Sequence, residues 1–498
     1  MEAVFQAKNS TNTRLLHDLV YLIRQHTHVC LGFSFLFLWT WIFFQDSFVY
    51  TPGNSGAEYG IFNPWNICIF AFVAVFMIIG AASRSVDFNF RNKKVLILVA
   101  LAMLLGAGVL NFTAITGIAI DRAAVILAAV VLGAASPLFY IEYARTYLRF
   151  NLKEIIMIGV VATVCTSLIY LTLPLMPEIA TSVFTFFIPV VLLVCMLVSC
   201  KKDTVVYMRE RTIRKKIYIP WKLNLTAFFH GMSFGAGRWF LVYSESSGWL
   251  TESHGTMYVV GYIVAAIALV TMVTYLKSNF DKLIYKIGFL CIAIGLILLL
   301  SPSLRQLGCF VTAFGFRFAD LLIWTLVIYL AVSKKVTINW LAGWPTAFLY
   351  FGMFAGYFVI NFAFSSNFIH PEIAVTAVSL VILMAALIMT SSINETNAWG
   401  SIRPSDDLIS SMYFEETLDR IALHANITER QKNVLALLAT GCSKKDIAKE
   451  LFLSEETVKT HTRNVYRKLS VHSQQELIAL VEAEEENYSE TVWNNMES

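Results

Sequence analysis

Basic and hydroxyl side chains share one face of a predicted helix over residues 454–469. At about 100° per residue, this face has one member at nearly every turn. Its members are Glu456, Lys459, Thr460, Arg463 and Arg467. Lysine and arginine donate hydrogen bonds to guanine edges and to phosphate oxygens. These residue types at this spacing indicate recognition of a polyanion through base edges and the phosphate backbone.

The opposite side of the same helix is apolar. Val458, Thr462, Val465 and Leu469 form a stripe that must pack on neighbouring helices. Packing of the apolar side fixes the orientation of the basic side, as a helix that binds in the DNA major groove requires. Residues 428–472 carry nine Lys or Arg against five Asp or Glu, and this positive balance favours binding to DNA.

Recurring helix-start signals must position this helix. A serine or threonine followed three residues later by glutamine or an acid forms a reciprocal capping box. The pairs are Thr428 with Gln431, Ser443 with Asp446 in a looser form, and Ser473 with Glu476. Ser454, followed by two acids, offers an N-cap to the positive end of the helix. Gly441 marks the end of the first helix.

The predicted helices lie at 428–440, 443–451, 455–469 and 473–485. The second and third follow each other with the spacing of a helix-turn-helix. Over all four helices the segment resembles the DNA-binding domain of the LuxR/GerE family. The matching residues are Leu435, Gly441, Ile447, Ala448, Leu451, Ser454, Thr457, Val458, Lys459, His461, Lys468, Leu469 and Val471.

The resemblance implies a role for each polar residue of the third helix. Lys459, Thr460 and Arg463 would meet base edges. The residues near phosphates would be Thr457, Arg467 and Lys468. The fourth helix would pair two subunits into a homodimer on double-stranded DNA. The alternative is a solvated basic face on a small helical bundle.

Three residues depart from the family pattern. Gln431 stands where the family prefers Glu, Ser470 where it usually has Gly, and Gln474 where it often has Arg. Gln431 still completes the capping box, whereas Ser470 is expected to shift the last turn. Gln474 removes a phosphate contact. None of the three touches the predicted reading face.

The rest of the chain has the composition of a membrane protein. Of 498 residues, 57% are hydrophobic and 14% are charged, against about 25% charged in a globular domain. The eight cysteines show neither paired nor metal-like spacing, so we interpret them as apolar packing residues. No cleavable signal peptide is predicted. The sequence has no nucleophile–base pair, metal cluster or phosphate-binding glycine loop, so neither an enzyme nor a cofactor is predicted.

Twelve apolar runs are long enough to span a bilayer. They lie near 29–48, 65–83, 95–113, 122–141, 154–174, 179–200, 222–244, 255–276, 283–300, 306–332, 341–364 and 373–392. Alternate connections carry 23 Lys or Arg on one side, against Arg122 and Arg305 on the other. Because positive residues favour the cytoplasmic side, the N-terminus and the DNA-binding segment are predicted to be cytoplasmic, in a bacterial inner membrane.

The spans divide into two sets of six. A long basic connection, residues 201–216, separates them, and basic loops recur about 190 residues apart. This plan resembles that of major facilitator transporters. Their loop motif between spans two and three is decayed here to Gly80, Arg84, Asp87 and Arg91.

The sequence therefore predicts an all-α chain, a polytopic membrane bundle followed by a small helix-turn-helix domain. The predicted segments are a cytoplasmic N-terminal segment 1–28, a membrane sensor domain 29–392, a linker 393–427, the DNA-binding domain 428–485 and a polar tail 486–498. Within the linker a short helix near 412–423 is expected to brace the DNA-binding helices.

Ionisable side chains inside spans are costly and usually functional. Arg238 lies in span seven, and Arg317 and Asp320 lie in span ten. In a facilitator-like fold spans one, four, seven and ten line a central cavity, so all three residues are candidates for ligand binding. The alternative is that Arg317 and Asp320, three apart on one helix, neutralise each other. Glu142, near a span end, is expected at the membrane interface.

Two functions fit these features. The first is a membrane-embedded one-component transcription regulator, in which the membrane domain senses a small molecule and the helix-turn-helix binds promoter DNA. The second is a secondary transporter with an appended DNA-binding reporter domain. The decayed loop motif and the absence of a ladder of carboxylates in the sequence favour the regulator.

Overall fold

All regular elements that the computed structural model describes are helical, as predicted. The described residues are 19–45, 64–83, 88, 90–116, 120–150, 152–202, 221–246, 252–273, 280–333, 336–365, 370–391, 414–439, 442–451, 453–481 and 483–484. They fall into two compact units. The first takes in Met1–Arg145, Ile156–Lys202 and Lys215–Asp406, and the second Thr146–Ile155, Asp203–Arg214 and Asp407–Ser498.

Thirteen helices of the described chain lie before residue 392. They are α1 (Leu19–Gln25), α2 (Thr27–Thr40, continued by a π-helix at Trp41–Gln45), α3 (Pro64–Ala82), α4 (Lys93–Thr116), α5 (Arg122–Thr146), α6 (Leu152–Thr172), α7 (Glu178–Lys202), α8 (Trp221–Ser246), α9 (Glu252–Thr271), α10 (Phe280–Leu283, Ile284–Phe289 as a π-helix and Leu290–Leu299), α11 (Arg305–Ser333), α12 (Ile338–Ser365) and α13 (Pro371–Ser391). Helices α2 to α13 coincide one by one with the twelve predicted spans. The chain is therefore a polytopic membrane protein.

The number of crossings remains a prediction. By length and composition, eight helices of the described chain can cross a membrane, or nine if α1 and α2, bent by 93°, form one span. Helix α8 falls short because it carries polar residues. Three of these, Lys222, His230 and Arg238, are buried in the protein. These residues lower the mean hydropathy of α8, and their burial in the protein keeps them away from lipid.

Helix α8 packs along α12, and α3 also packs against α12. Glycines permit this approach, since a Cβ atom at Gly235 would lie 1.9 Å from the Met353 carbonyl oxygen. A Cβ at Gly356 would lie 2.0 Å from the Met232 carbonyl oxygen. The α8–α12 pair therefore requires glycine at both places.

The C-terminal part of the second unit is a bundle of five short helices. They are α14 (Phe414–His424), α15 (Glu429–Ala439), α16 (Lys444–Glu450), α17 (Glu455–Leu469) and α18 (474–481). The predicted helix at 455–469 has the observed bounds, and the other three predicted helices are matched within a few residues. Gly441, the predicted end of the first helix, lies outside the described residues.

The helix expected near 412–423 is confirmed as α14. Its residues Leu418, Ile421 and Ala422 are buried in one apolar core with Val434 and Val458 of the DNA-binding helices. Lys432 of α15 also pairs with Asp419 of α14. Helix α14 is thus part of the bundle that positions α17.

Candidate nucleic-acid interface and buried charges

Helix α17 begins at the predicted cap. The backbone N–H of Thr457 donates to Ser454 Oγ at 3.1 Å, and Ser454 has extended backbone angles. Glu455 and Glu456 occupy the first turn and Arg467 and Lys468 the last, so charges at both ends oppose the helix dipole. The local sequence therefore fixes where α17 starts, and with it the phase of its two faces.

The predicted apolar back of α17 is packed into the bundle. Val458 and Val465 are fully buried and Thr462 is 2% exposed. Leu469 is half-buried against the same core. Burial of this stripe turns the opposite side of α17 to solvent.

The candidate base-reading residues are all exposed on that opposite side. Lys459 Nζ pairs with Glu456 Oε2 at 3.0 Å, and Thr460 Oγ1 donates to the Glu456 carbonyl oxygen at 2.9 Å. Arg463 makes no ion pair with any described residue of the chain. Its guanidinium is thus available for bidentate contact with a guanine edge.

The three candidate phosphate contacts differ in their surroundings. Thr457 Oγ1 lies 2.7 Å from Ser454 Oγ, and Arg467 Nη2 donates to Asn464 Oδ1 at 3.3 Å. Lys468 is half-buried, and its Nζ donates to the Asn426 carbonyl oxygen and to Gln431 Oε1, the latter at 2.9 Å. Lys468 therefore joins the end of α17 to the start of α15.

Gln431 and Gln474, two departures from the family pattern, have structural partners. Gln431 Oε1 also accepts from the Thr428 backbone N–H at 3.2 Å, as the predicted capping box requires. Gln474 Nε2 donates to the carbonyl oxygens of Leu438 and Cys442 at 2.9 and 3.0 Å. Gln474 thus satisfies carbonyl groups at the end of α15, where the backbone leaves acceptors unpaired.

Ser470, the third departure, ends α17 in a left-handed conformation with φ 55° and ψ 36°. The Val471 N–H donates to the Tyr466 carbonyl oxygen at 3.0 Å, which closes the turn. Glycine adopts these angles without steric cost, whereas serine is strained there. The last turn of α17 therefore places a serine in a conformation that favours glycine.

The start of α18 shows the predicted capping box, except that the Glu476 carboxylate accepts from the backbone N–H of His472 and not from that of Ser473. The Glu476 N–H donates to Ser473 Oγ at 3.1 Å, and Glu476 Oε2 accepts from the His472 N–H at 2.8 Å. The hydrogen bonds from His472 and Ser473 lower the pKa of Glu476.

On helix α18, Leu477 and Val481 are buried in the domain's own core, which leaves Ile478 and Leu480 half-buried. The apolar surface offered to a second subunit is therefore smaller than the sequence suggested.

In the membrane unit, Arg317 and Asp320 form a buried ion pair. Arg317 Nη1 lies 2.6 Å from Asp320 Oδ2. Arg317 Nε donates to Thr163 Oγ1 of α6 at 2.9 Å, and its guanidinium lies 4.1 Å from the Phe37 ring centre of α2. Arg317 and Asp320, both candidates for ligand binding, are thus ion-paired with each other.

Helices from spans one, four, seven and ten meet at this ion pair. Phe37 comes from α2, and His230 of α8 places Nε2 3.9 Å from Asp320 Oδ1. On the next turn of α11, Trp324 Nε1 donates to Tyr140 Oη of α5 at 3.1 Å. The expected convergence of the four central helices is therefore present around Asp320.

Arg238 lies in different surroundings. Its guanidinium stacks 4.2 Å from the Trp65 ring centre of α3, and Trp65 contacts the Tyr357 ring of α12 at 5.1 Å. The next residue, Trp239, donates to Asn361 Oδ1 at 3.2 Å. The structure thus joins Arg317 with Asp320 and places Arg238 in an aromatic cluster of its own.

Glu142, near the end of α5, is wholly buried inside the protein. Its Oε2 accepts from Arg91 Nε at 3.2 Å and from Arg145 Nε at 3.1 Å, and its Oε1 accepts from the Phe90 N–H at 3.0 Å. Arg145 Nη2 also reaches Asn339 Oδ1 of α12 at 2.7 Å. Three donors stabilise the Glu142 carboxylate inside the protein.

His230, Arg145 and Asn339 were missed by sequence reasoning. A lone histidine inside an apolar span was a usable signal for His230. Glu142 and Arg145 are three apart on one helix, a spacing that indicates an ion pair. Asn339 belongs to the network through a contact 194 residues distant in sequence, and no local pattern reveals it.

Comparison with known proteins identifies the C-terminal bundle. Residues 425–481 match the family described as "Bacterial regulatory proteins, luxR family". A nitrate/nitrite response regulator protein homolog of Haemophilus influenzae is 49% identical over 67 residues, 14% of this chain and 32% of that protein. The transcriptional regulatory protein YhcZ of Bacillus subtilis is 53% identical over 45 residues, 9% of this chain and 21% of that one. The chain thus carries a LuxR-type helix-turn-helix, and it spans a third or less of these relatives.

The remainder of the chain resembles transporters in fold. The human organic anion transporter MFSD10 superposes with a TM-score of 0.53 at 11% identity, covering 74% of this chain and 99% of that one. A bacterial homologue of the iron transporter ferroportin, in its outward-facing state, gives 0.53 at 12% identity, covering 75% and 99%. The predicted facilitator-like fold of the membrane domain is confirmed.

Proposed function

We propose that this chain is a membrane-embedded one-component transcription regulator. Its membrane domain senses a small molecule, and its cytoplasmic helix-turn-helix binds promoter DNA in response. The observation that carries the proposal is α17, a capped helix of LuxR type with Arg463 exposed opposite a buried apolar stripe. A facilitator-like fold on the same chain supplies the sensor. The predicted topology, with both ends in the cytoplasm of a bacterial cell, gives α17 access to DNA.

DNA recognition would divide among the residues of α17 by exposure. Lys459, Thr460 and Arg463 would read base edges, since all three are exposed on one face. Thr457 and Arg467 would contact phosphates. A homodimer formed through the half-buried Ile478 and Leu480 would read a two-fold symmetric site.

Ligand sensing is assigned first to Arg238. Arg317 already has Asp320 and Thr163 as partners, so its role is to hold the central helices. Arg238 stacks on the Trp65 ring, and its guanidinium would pair with an anionic or phenolic group of a ligand. A ligand would shift the membrane domain by its differential affinity for two states.

The test uses the full chain in lipid nanodiscs and duplexes selected from a random pool. We expect the selected duplexes to share a two-fold symmetric site, and Arg463→Ala to weaken their binding. Footprints of a single half-site at saturating protein would contradict the dimer. Binding without sequence preference that ignores Arg463→Ala would contradict the assignment of α17.

Signalling is tested separately by transcript profiling with candidate ligands. Arg238→Ala should abolish ligand-dependent expression while insertion and DNA binding persist. Asp320→Asn should do the same, since Arg317 then loses the partner that holds the central helices. If both variants respond with unchanged dose dependence, the sensing site lies elsewhere.

The transporter alternative rests on the fold that the chain shares with known transporters. Uptake of labelled candidates into vesicles discriminates between the two functions. Uptake that is abolished by Arg238→Ala would favour the transporter with an appended DNA-binding domain.

A further inference from the structure

His230 of α8 is fully buried at the centre of the membrane unit. Its ring lies parallel to Phe316 of α11, with ring centres 4.2 Å apart, and nearly parallel to Phe289 of α10 at 6.3 Å. Neither ring nitrogen has a hydrogen-bond partner within the described part of the chain. A neutral histidine held only for packing ordinarily donates its single N–H to an acceptor.

A carboxylate lies beside this ring. His230 Nε2 is 3.9 Å from Asp320 Oδ1, while Asp320 Oδ2 is held by Arg317 at 2.6 Å. Asp320 is thus shared between a permanent cation and a side chain that becomes a cation only when it binds a proton. One ring nitrogen of His230 has the lone pair that accepts the proton, and the Asp320 carboxylate supplies the counter-charge to the imidazolium.

We propose that His230 and Asp320 form a proton-binding site that sets the state of the membrane domain. Protonation forms an N–H bond at the imidazole with a proton taken from water. No other bond changes, and the cluster gains one positive charge. Histidine is the side chain that ordinarily exchanges a proton near physiological pH, and this sets the range over which the proposal is tested.

Protonation has a consequence outside the cluster because Asp320 is shared. An imidazolium at His230 attracts Asp320 Oδ1 and competes with Arg317 for the carboxylate. Arg317 in turn donates to Thr163 of α6 and stacks on Phe37 of α2. Weakening its bond to Asp320 therefore alters a connection between the first six membrane helices and the last six.

Three tyrosines also lie around the cluster. Tyr140 and Tyr350 hydrogen bond to each other near Asp320, and Tyr262 lies beside Arg317. Among the described residues, the charged and titratable groups facing the site are Asp320 and Arg317 of α11, Tyr140 of α5, Tyr262 of α9 and Tyr350 of α12.

The experiment follows tryptophan fluorescence and proton uptake of the full chain in nanodiscs from pH 5 to 8, since Trp41 and Trp324 adjoin the cluster. Wild type should show a transition with uptake of one proton, and His230→Gln should lose it. His370→Gln, at an exposed position before α13, is the matched control and should keep it. The Asp320→Asn variant should undergo the same transition at more acidic pH, with the pH midpoint of the transition lower by about one unit or more.

The idea is overturned if wild type shows no transition, if the transition survives His230→Gln, or if Asp320→Asn leaves its midpoint in place. The Asp320→Asn shift keeps the test valid should His230→Gln fail to fold. Only the transcriptional output of this site rests on the function proposed above. DNA binding by the same samples, measured at one pH, distinguishes failure of the proposed function from failure of the proton site. A pH transition in a protein that does not bind DNA would contradict the function as a regulator and would support the proton site.

Discussion

Replacement of Lys468 by alanine separates two roles for that residue. Its Nζ donates to the Asn426 carbonyl oxygen and to Gln431 Oε1, and Gln431 Oε1 also accepts from the Thr428 N–H. Each hydrogen bond to a charged group contributes about 1.5–3 kcal/mol. Because Lys468 is half-buried and solvent competes, we expect Lys468→Ala to lower the free energy of unfolding by about 1–2 kcal/mol.

The assay uses the fragment 407–498, whose apolar core lies entirely between Leu418 and Val481. Urea unfolding gives the change in stability, and DNA binding over a range of salt gives the number of phosphates contacted. If Lys468 is a structural brace, the slope of log affinity against log salt should hardly change. If it contacts a phosphate, the slope should fall by about 0.9.

Arg467→Ala is the matched control. Arg467 is exposed at the preceding position, and among the residues that the structure describes it bonds only within its own helix, to Asn464. It should lower the salt slope by about 0.9 and change stability by less than about 0.5 kcal/mol. The reasoning is refuted if Lys468→Ala leaves stability unchanged and lowers the salt slope as Arg467→Ala does.

Three further substitutions probe the recognition face, the end of α17 and the membrane core. Arg463→Ala should cost about 1–3 kcal/mol of binding and blur preference at one base position, measured by competition between operator variants. Ser470→Gly should raise the unfolding free energy by about 0.5–1 kcal/mol, because glycine adopts a positive φ without strain. Asn426→Gly, at φ 51°, should raise the unfolding free energy by less, since asparagine tolerates the left-handed region. Glu142→Gln should cost about 3 kcal/mol or more and lower the thermal midpoint of the full chain, because two buried arginines lose their counter-ion. The exposed Glu372→Gln should leave that midpoint in place.

Local signals allowed the DNA-binding helices to be predicted from sequence. The Ser454 cap and the apolar stripe of α17 depend on residues within a few turns, so helix bounds and reading face followed from them. The role of Gln474 did not, because its acceptors Leu438 and Cys442 lie more than thirty residues away. The same limit applied to the ion partners of Glu142. Its burial depends on Arg91, 51 residues distant, and composition alone does not reveal such a pairing.

The two charged clusters of the membrane unit share one design. Glu142 has its charged partners Arg91 and Arg145 among the first six helices and their loops, and Arg317 has Asp320 on its own helix among the last six. The bonds that cross between the two sets of helices go to neutral side chains, from Arg145 to Asn339 and from Arg317 to Thr163.

This division decides what a relative movement of the two sets would cost. Breaking a buried ion pair costs about 3–5 kcal/mol, because it leaves a charge uncompensated. Losing a hydrogen bond between a charged and a neutral group costs about 1.5–3 kcal/mol. Among the described residues, these ion pairs lie within one set each, so separation of the sets would break the bonds from Arg145 and Arg317 to neutral side chains and leave the ion pairs in place. A ligand or a single proton can supply a free-energy difference of that size, and this makes the membrane domain suited to switching between two states.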